Sequence, residues 1–169
     1  MKSKTEIRFI CIFILLLLSG QALYYFSKNK SENIIVKILS VGPSVQIINL
    51  ITSDDPVVQK GNEICNKDLC MAVNTGCDGM EGILIVVAAM IAFPMILRIK
   101  IVGTMLGILM VYLTNIVRIL MLYFVLNYKP GWFDFMHIYV GQVMVIFVGG
   151  VFFFLWVNQF ARQNKPAAN

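Results

Sequence analysis

Charge is scarce in this chain: 14% of its 169 residues are Asp, Glu, Lys or Arg, while 59% are hydrophobic. That balance excludes an ordinary soluble domain and is the profile of a membrane protein. Metal-ligating residues are equally sparse. One histidine and four scattered cysteines give no zinc-type ligand spacing, so no metal and no cofactor are expected. No Cys-x-x-Cys pair marks a redox motif. No Gly-x-Gly-x-x-Gly, P-loop, His-Glu-x-x-His or Gly-x-Ser-x-Gly stretch occurs, which removes the usual signatures of dinucleotide, nucleotide, zinc-protease and serine-hydrolase chemistry. The net charge of +5 is no nucleic-acid signal, because the basic residues flank apolar runs instead of forming a patch.

The long apolar runs predict an all-α membrane protein, a bundle of about four transmembrane helices. Ile7 to Phe26 is the first, with Lys2, Lys4 and Arg8 at its start. Gly20-Gln21-Ala22 would suit signal cleavage, but the apolar run continues through Leu23-Tyr24-Tyr25-Phe26, which favours a retained helix. Gly82 to Leu97 is the second span, with a start as early as Asp78, followed by Arg98 and Lys100. Ile101 to Leu126 is the third and His137 to Val157 the fourth, with Arg162 and Lys165 beyond it. The connection Asn127 to Met136 carries a Pro130-Gly131 turn and the interfacial aromatics Trp132, Phe133 and Phe135.

These runs divide the chain into a cytoplasmic N-terminus and first helix (1–26), an extracytoplasmic loop (27–76), a three-helix core (77–157) and a cytoplasmic tail (158–169). Basic residues at every short cytoplasmic segment set that orientation, with Lys129 the one exception. The lysines of the long loop, including Lys28, Lys30 and Lys37, weigh little, since long loops translocate largely regardless of charge. Within the loop, Ile34, Ile35, Ile38 and Leu39 predict a short amphipathic helix with Lys37 and Ser40 turned away, ended by Gly42-Pro43. Val45 to Ile51 can continue it after a kink. Ser53-Asp54-Asp55-Pro56 is a turn. Val57-Val58 and Cys70 to Val73 read as short strands around Asn66-Lys67-Asp68, and Cys65 and Cys70 could close that hairpin with a disulfide.

The third span carries the most informative residue. Arg118 is its only charge and stands roughly 12 Å below the Leu126 end, where a guanidinium costs several kcal/mol unless it is paired or hydrated. Asn115, three residues earlier, shares its face. With this topology Cys77, Arg118 and His137 fall at about one membrane level. A thiolate is a nucleophile, and its pKa falls beside a cation or at a helix N-terminus. An imidazole can carry its proton, and a guanidinium can hold an oxyanion. Singly, each residue has an ordinary explanation: a packed thiol (as expected for Cys11), a solvated helix-start histidine, a polar contact between helices. Together they are the parts of an acyl-transfer site. Asp134 could orient the His137 ring or merely cap the fourth span. Asp78 and Glu81 have the spacing of a helix-capping pair. The Gly103/Gly107 and Gly149-Gly150 pairs predict close helix packing.

Cys77-Asp78-Gly79 before an apolar helix, Asn115-Ile116-Val117-Arg118 inside the next and His137 with Gly141 leading the last resemble the exosortase/archaeosortase family of membrane-embedded cysteine transpeptidases. The resemblance covers roughly residues 73 to 157. It implies Cys77 as nucleophile, Arg118 as transition-state stabiliser and His137 as acid/base. It also implies secreted protein substrates with a C-terminal sorting signal, a surface acceptor molecule, and a prokaryotic cytoplasmic membrane with the site on its outer side, in contact with membrane lipid and no nucleic acid. The chain has fewer predicted spans than many members, and Cys65/Cys70 lies outside the matching motifs. Two other readings compete: a thiol-disulfide redox protein relaying through Cys65, Cys70 and Cys77, and a non-enzymatic accessory subunit.

Overall fold

A computed structural model describes residues 2–27, 32–52, 55–74 and 76–161. Lys28, Lys30, Ser53, Asp54, Arg162 and Lys165 lie outside the described residues, as does the side chain of Lys2. Helix α1 is Lys2–Phe26. Helix α2 opens with wide π-helical turns over Glu32–Val41 and continues as α-helix over Gly42–Ile51. Strands β1 (Val58–Lys60), β2 (Glu63–Cys65) and β3 (Cys70–Ala72) form an antiparallel sheet in that order. Helix α3 is Met80–Ala92 and α4 is Leu97–Tyr128. After a 3₁₀ turn at Pro130–Trp132, α5 begins with Phe133–Phe135, widens to π over Met136–Val140 and runs on as α over Gly141–Ala161.

Helices α1, α3, α4 and α5 pack as a bundle with α3 at its centre, touching each of the other three. Its core is Val86 and Met90 of α3, Val111 of α4 and Val145 of α5. Small residues let the helices approach. A side-chain carbon at Gly82 would meet Val145, one at Gly103 would meet Trp156, and those at Gly107 and Gly149 would both meet Val86. Close packing was expected at the two glycine pairs; of the second pair only Gly149 is tight, and Gly150 faces open space.

Among the described residues four helices are long and apolar enough to cross a membrane by length and composition: Glu6–Phe26, Ile34–Ile51, Leu97–Tyr128 and Pro130–Phe160. This set differs from the sequence expectation at two places. The expected span Gly82 to Leu97 stops at Ala92, so α3 has 13 residues, about 20 Å of helix against a hydrocarbon core of ~30 Å. Phe93 precedes Pro94, and the proline ring drives the residue before it to extended backbone, here φ −74° and ψ 130°. The residues after the break join the next helix, which begins at Leu97 rather than Ile101.

The second difference is α2, which is not ended at Gly42-Pro43. Pro43 stands in the first turn of the α-helical part, a position where its missing N–H costs little. The apolar residues expected to lie on the membrane are left outside the protein core, and a second face is the buried one. Ile34, Ile38 and Leu39 are exposed, while Val36, Ser40, Val41, Ser44 and Ile48 are buried. The two serines are accommodated by hydrogen bonds back into their own helix, Ser40 to the Ile35 carbonyl at 3.0 Å and Ser44 to that of Ser40 at 2.7 Å. Gln59 donates to the Lys37 carbonyl, and Asn49 exchanges two hydrogen bonds with Val57. Both ends of α2 are thus fastened beside β1, and the helix stays at one end of the bundle.

There α2 and the sheet form a cap over the second half of α4. Val36, Val41 and Ile48 of α2 meet Ile64, Met71 and Val73 from the sheet region and Ile119, Leu122 and Tyr123 of α4 in one core. The turn residue Asn66 accepts from the Asp68 and Leu69 N–H groups and donates to Asn127 of α4. Strand β2 was not foreseen, but the hairpin around Asn66 was. Cys65 and Cys70 are directly opposed in it and joined in a disulfide. Cys11, expected to be packed, is exposed on α1.

The fold predicts the outcome of a cysteine-accessibility map. Single cysteines at Lys67 and Gly131 should be labelled from the same side of the membrane, and one at Arg98 only from the other. Labelling of all three from one side would break this arrangement.

Candidate active site

The cap holds the segment that carries Cys77. Val73 bonds through its N–H to the Asn62 carbonyl, and the chain then turns so that the Cys77 N–H reaches the Asn74 carbonyl at 2.9 Å. Asp78 follows and is buried. Its carboxylate accepts a close hydrogen bond from the Tyr24 hydroxyl of α1 and a longer one, 3.3 Å, from the Met80 N–H that opens α3. Glu81 completes no capping box with Asp78. It accepts instead from the Gln142 amide of α5 at 3.1 Å, tying the start of α3 to the helix that carries His137.

Two glycines make room for the polar face of α4. Gly79 has φ +79°, a left-handed conformation, and a side-chain carbon there would lie 2.8 Å from the Asn115 amide carbon. At Gly141 such a carbon would lie 2.6 Å from Arg118 Nε. Asn115 and Arg118 are therefore covered by bare backbone on two sides, and only 1% and 3% of their surfaces remain exposed.

Cys77, Arg118 and His137 meet. Cys77 Sγ stands 3.6 Å from His137 Nε2 and 3.8 Å from Nδ1, within reach for proton transfer from sulfur to the ring after a small adjustment. Arg118 Nη2 donates to the His137 carbonyl at 3.4 Å, a weak bond for so buried a cation. Among the described residues no carboxylate pairs with Arg118, and its Nε and both polar atoms of Asn115 have no hydrogen-bond partner. The His137 ring lies flat against Phe133, centroids 5.7 Å apart and planes within 6°. Asp134 is exposed, and no hydrogen bond joins it to the imidazole; the ring is held by stacking. His137 also sits in the π-helical widening of α5, a local feature frequent at functional sites.

Electrostatics at the thiol run against the expectation from sequence. Burial pushes the Cys77 pKa up, and Asp78 and Glu81 add to this. Arg118 pulls it down, but less than burial raises it, so the balance lies above the ordinary thiol value. This balance favours the thiol form, so a nucleophilic role for Cys77 would require a base.

Tyr24 and Gln142 escaped the sequence reading. Gln142 carried a usable signal, an amide inside an otherwise apolar span one helical turn beyond His137. Tyr24 carried none beyond being an aromatic near a helix end. The Cys65–Cys70 sulfurs lie near the Glu63 carboxylate, 3.9 Å from Cys65 Sγ. Bonded to each other, they have no thiolate to offer a metal and no proton to donate.

With this geometry in place, comparison with protein families gives a match over most of the chain. The family model described as transmembrane exosortase (Exosortase_EpsH) aligns with residues 7–156. The protein is a multi-pass, all-α membrane protein. It belongs to the transmembrane exosortase family. Comparison with curated proteins and with solved structures returned no match.

The raised thiol pKa sets a pH expectation. Cys77 should alkylate with iodoacetamide more slowly than a free thiol at pH 7.5, and its rate should still be climbing above pH 9, where an ordinary thiol levels off. Arg118→Gln removes the one nearby positive charge and should move the profile further up. A profile that levels off below pH 8 would contradict this balance of burial over attraction.

Proposed function

We propose that this protein is a membrane-embedded cysteine peptidase or transpeptidase that processes the C-terminal sorting signals of secreted proteins through a thioester on Cys77. The observation that supports the reading best is the buried Arg118, without a carboxylate partner among the described residues, beside a thiol in contact with the chain's only histidine. A cation held in low dielectric is available for a charge that arises only during reaction, the arrangement that stabilises a tetrahedral oxyanion.

In this mechanism Sγ bonds to the scissile carbonyl carbon while its proton passes to His137. The carbonyl π electrons move onto oxygen, and Arg118 faces the resulting oxyanion. Collapse of the intermediate breaks the carbon–nitrogen bond, and His137 returns the proton to the leaving amine. The thioester is then opened by an acceptor nucleophile or by water. Asn115, against the Cys77–Gly79 turn, supports the position of the nucleophile. Lys4, Arg8, Arg98 and Lys100 fall at the end of the bundle away from Cys77, which by the positive-inside rule supports a site on the extracytoplasmic side of a prokaryotic cytoplasmic membrane.

The direct test is to capture the intermediate: a co-expressed secreted protein bearing a sorting signal should become covalently attached to Cys77 and be released by hydroxylamine. Cys77→Ala should abolish processing, while Cys65→Ser/Cys70→Ser should retain it with lower abundance, a short-loop disulfide being worth about 2–3 kcal/mol. A double variant as inactive as Cys77→Ala, yet normally inserted, would favour a thiol relay instead.

Arg118→Lys separates catalysis from packing. Lysine keeps the charge but loses the planar fork of donors. Turnover should fall ~100–1,000-fold, the usual effect of losing an oxyanion donor, at normal abundance of inserted protein. Normal abundance with near-normal cleavage would remove Arg118 from the mechanism.

A further inference from the structure

At the end of the bundle away from Cys77, α1, the end of α3 and the start of α4 enclose a cavity of about 400 Å³ that the catalytic reading does not use. Among the described residues three cations line it, Lys4 and Arg8 of α1 and Lys100 of α4, and no acidic residue does. The rest of its wall is apolar: Phe9 and Ile12 on α1, Phe93 and Pro94 in the break between α3 and α4. Lys100 is already oriented there, its ammonium donating at 2.8 Å to the Ile91 carbonyl, one of the carbonyls that the end of α3 leaves without a helical partner. Two more ammonium protons remain for a ligand.

We propose that this cavity is a binding site for the headgroup phosphate of an anionic phospholipid, with the acyl chains descending along the apolar faces of α1 and α3. The depth of the site supports a lipid. Tyr24 is level with Asp78 beside the nucleophile, and Arg8 lies sixteen residues below it on the same helix, roughly 24 Å. The hydrocarbon core is ~30 Å thick. The break that ends α3 after 13 residues falls at the same shallow level. Bilayer-embedded groups at that depth draw headgroups inward, and three cations around one cavity give an inward-drawn phosphate its counter-charge. Basic pockets between helices at a membrane surface are suited to anionic headgroups for this reason. The basic tail of a sorting signal would be repelled from the same place. The proposal is independent of the chemistry at Cys77.

Native mass spectrometry of the full chain, offered phosphatidylglycerol and phosphatidylcholine with matched acyl chains, tests it. Phosphatidylglycerol should be retained preferentially. Arg8→Gln/Lys100→Gln should cut that retention roughly 10- to 30-fold, since each near-surface cation contributes about a fivefold factor. The double variant leaves other basic residues at this end to hold the orientation, and the glutamine at position 100 keeps a donor for the Ile91 carbonyl. Arg98→Gln, exposed at the same rim but outside the cavity, should change little. If the double variant inserts poorly, Arg8→Gln alone carries the comparison, because Arg8 is exposed. Equal retention of both lipids, an equal loss with Arg98→Gln, or undiminished retention in the cavity variants would overturn the site. So would displacement of the lipid by millimolar inorganic phosphate that stabilises the protein equally well, which would make it a site for a free anion.

Discussion

A single buried cation constrains this molecule more than any other group. Among the described residues Arg118 is placed by the helix that carries it, not by a carboxylate partner, and its burial with one weak hydrogen bond is costly in a low-dielectric interior. The fold bears that cost through packing elsewhere. The long helix α4 is clamped at one end by the sheet and α2, through Ile119, Leu122 and Tyr123, and further down by α3 and α5 through Val111. Held in two cores, it cannot rotate its polar face away from the Cys77 turn and His137. On the proposed reading, such a site is assembled before a substrate arrives, and fixed charge that needs no reorganisation is what makes electrostatic stabilisation effective.

The thiol and the cation are matched in a less obvious way. Burial keeps Cys77 protonated despite the neighbouring guanidinium, so attraction to Arg118 is not spent on a resting thiolate ion pair. In the proposed mechanism the guanidinium stays available for the charge on the substrate oxygen, and the proton has a nearby destination in His137. The Tyr24 hydroxyl and the Met80 N–H act on the same balance from behind, by holding the neighbouring Asp78 carboxylate in a fixed place.

Much of this was legible in the sequence, because the informative residues are exceptions to their surroundings. An arginine inside an apolar run, a lone histidine at the start of another and a cysteine before a third point to the cluster that forms the candidate site once the helices are counted. Cys65 and Cys70, flanking a turn, could be read as able to pair but not as paired. What was hidden depends on tertiary context. The buried face of α2 could not be read from hydropathy, since both of its faces are apolar and the serines on the inner one satisfy themselves locally. The early end of α3 was written in Pro94, but apolar residues on both sides of it masked the break. The pairing of Tyr24 with Asp78 and of Gln142 with Glu81 joins residues 54 and 61 positions apart, beyond the reach of any local pattern.

The π-helical widening at Met136–Val140 has a consequence for how α5 does two jobs. A turn closed between residues five apart takes in one residue more than an α-turn, which offsets everything beyond it by roughly 100° relative to an unbroken α-helix. Before the offset, the helix presents His137 to the thiol. After it, Gly141 lies against Arg118 and Val145 and Phe152 lie against α3 and α4. Deleting one residue there would restore a regular helix that could satisfy either register, but not both: a well-packed bundle with its imidazole swung away, or an aligned imidazole on a helix that no longer fits its neighbours. In this protein the extra residue reconciles chemistry with packing.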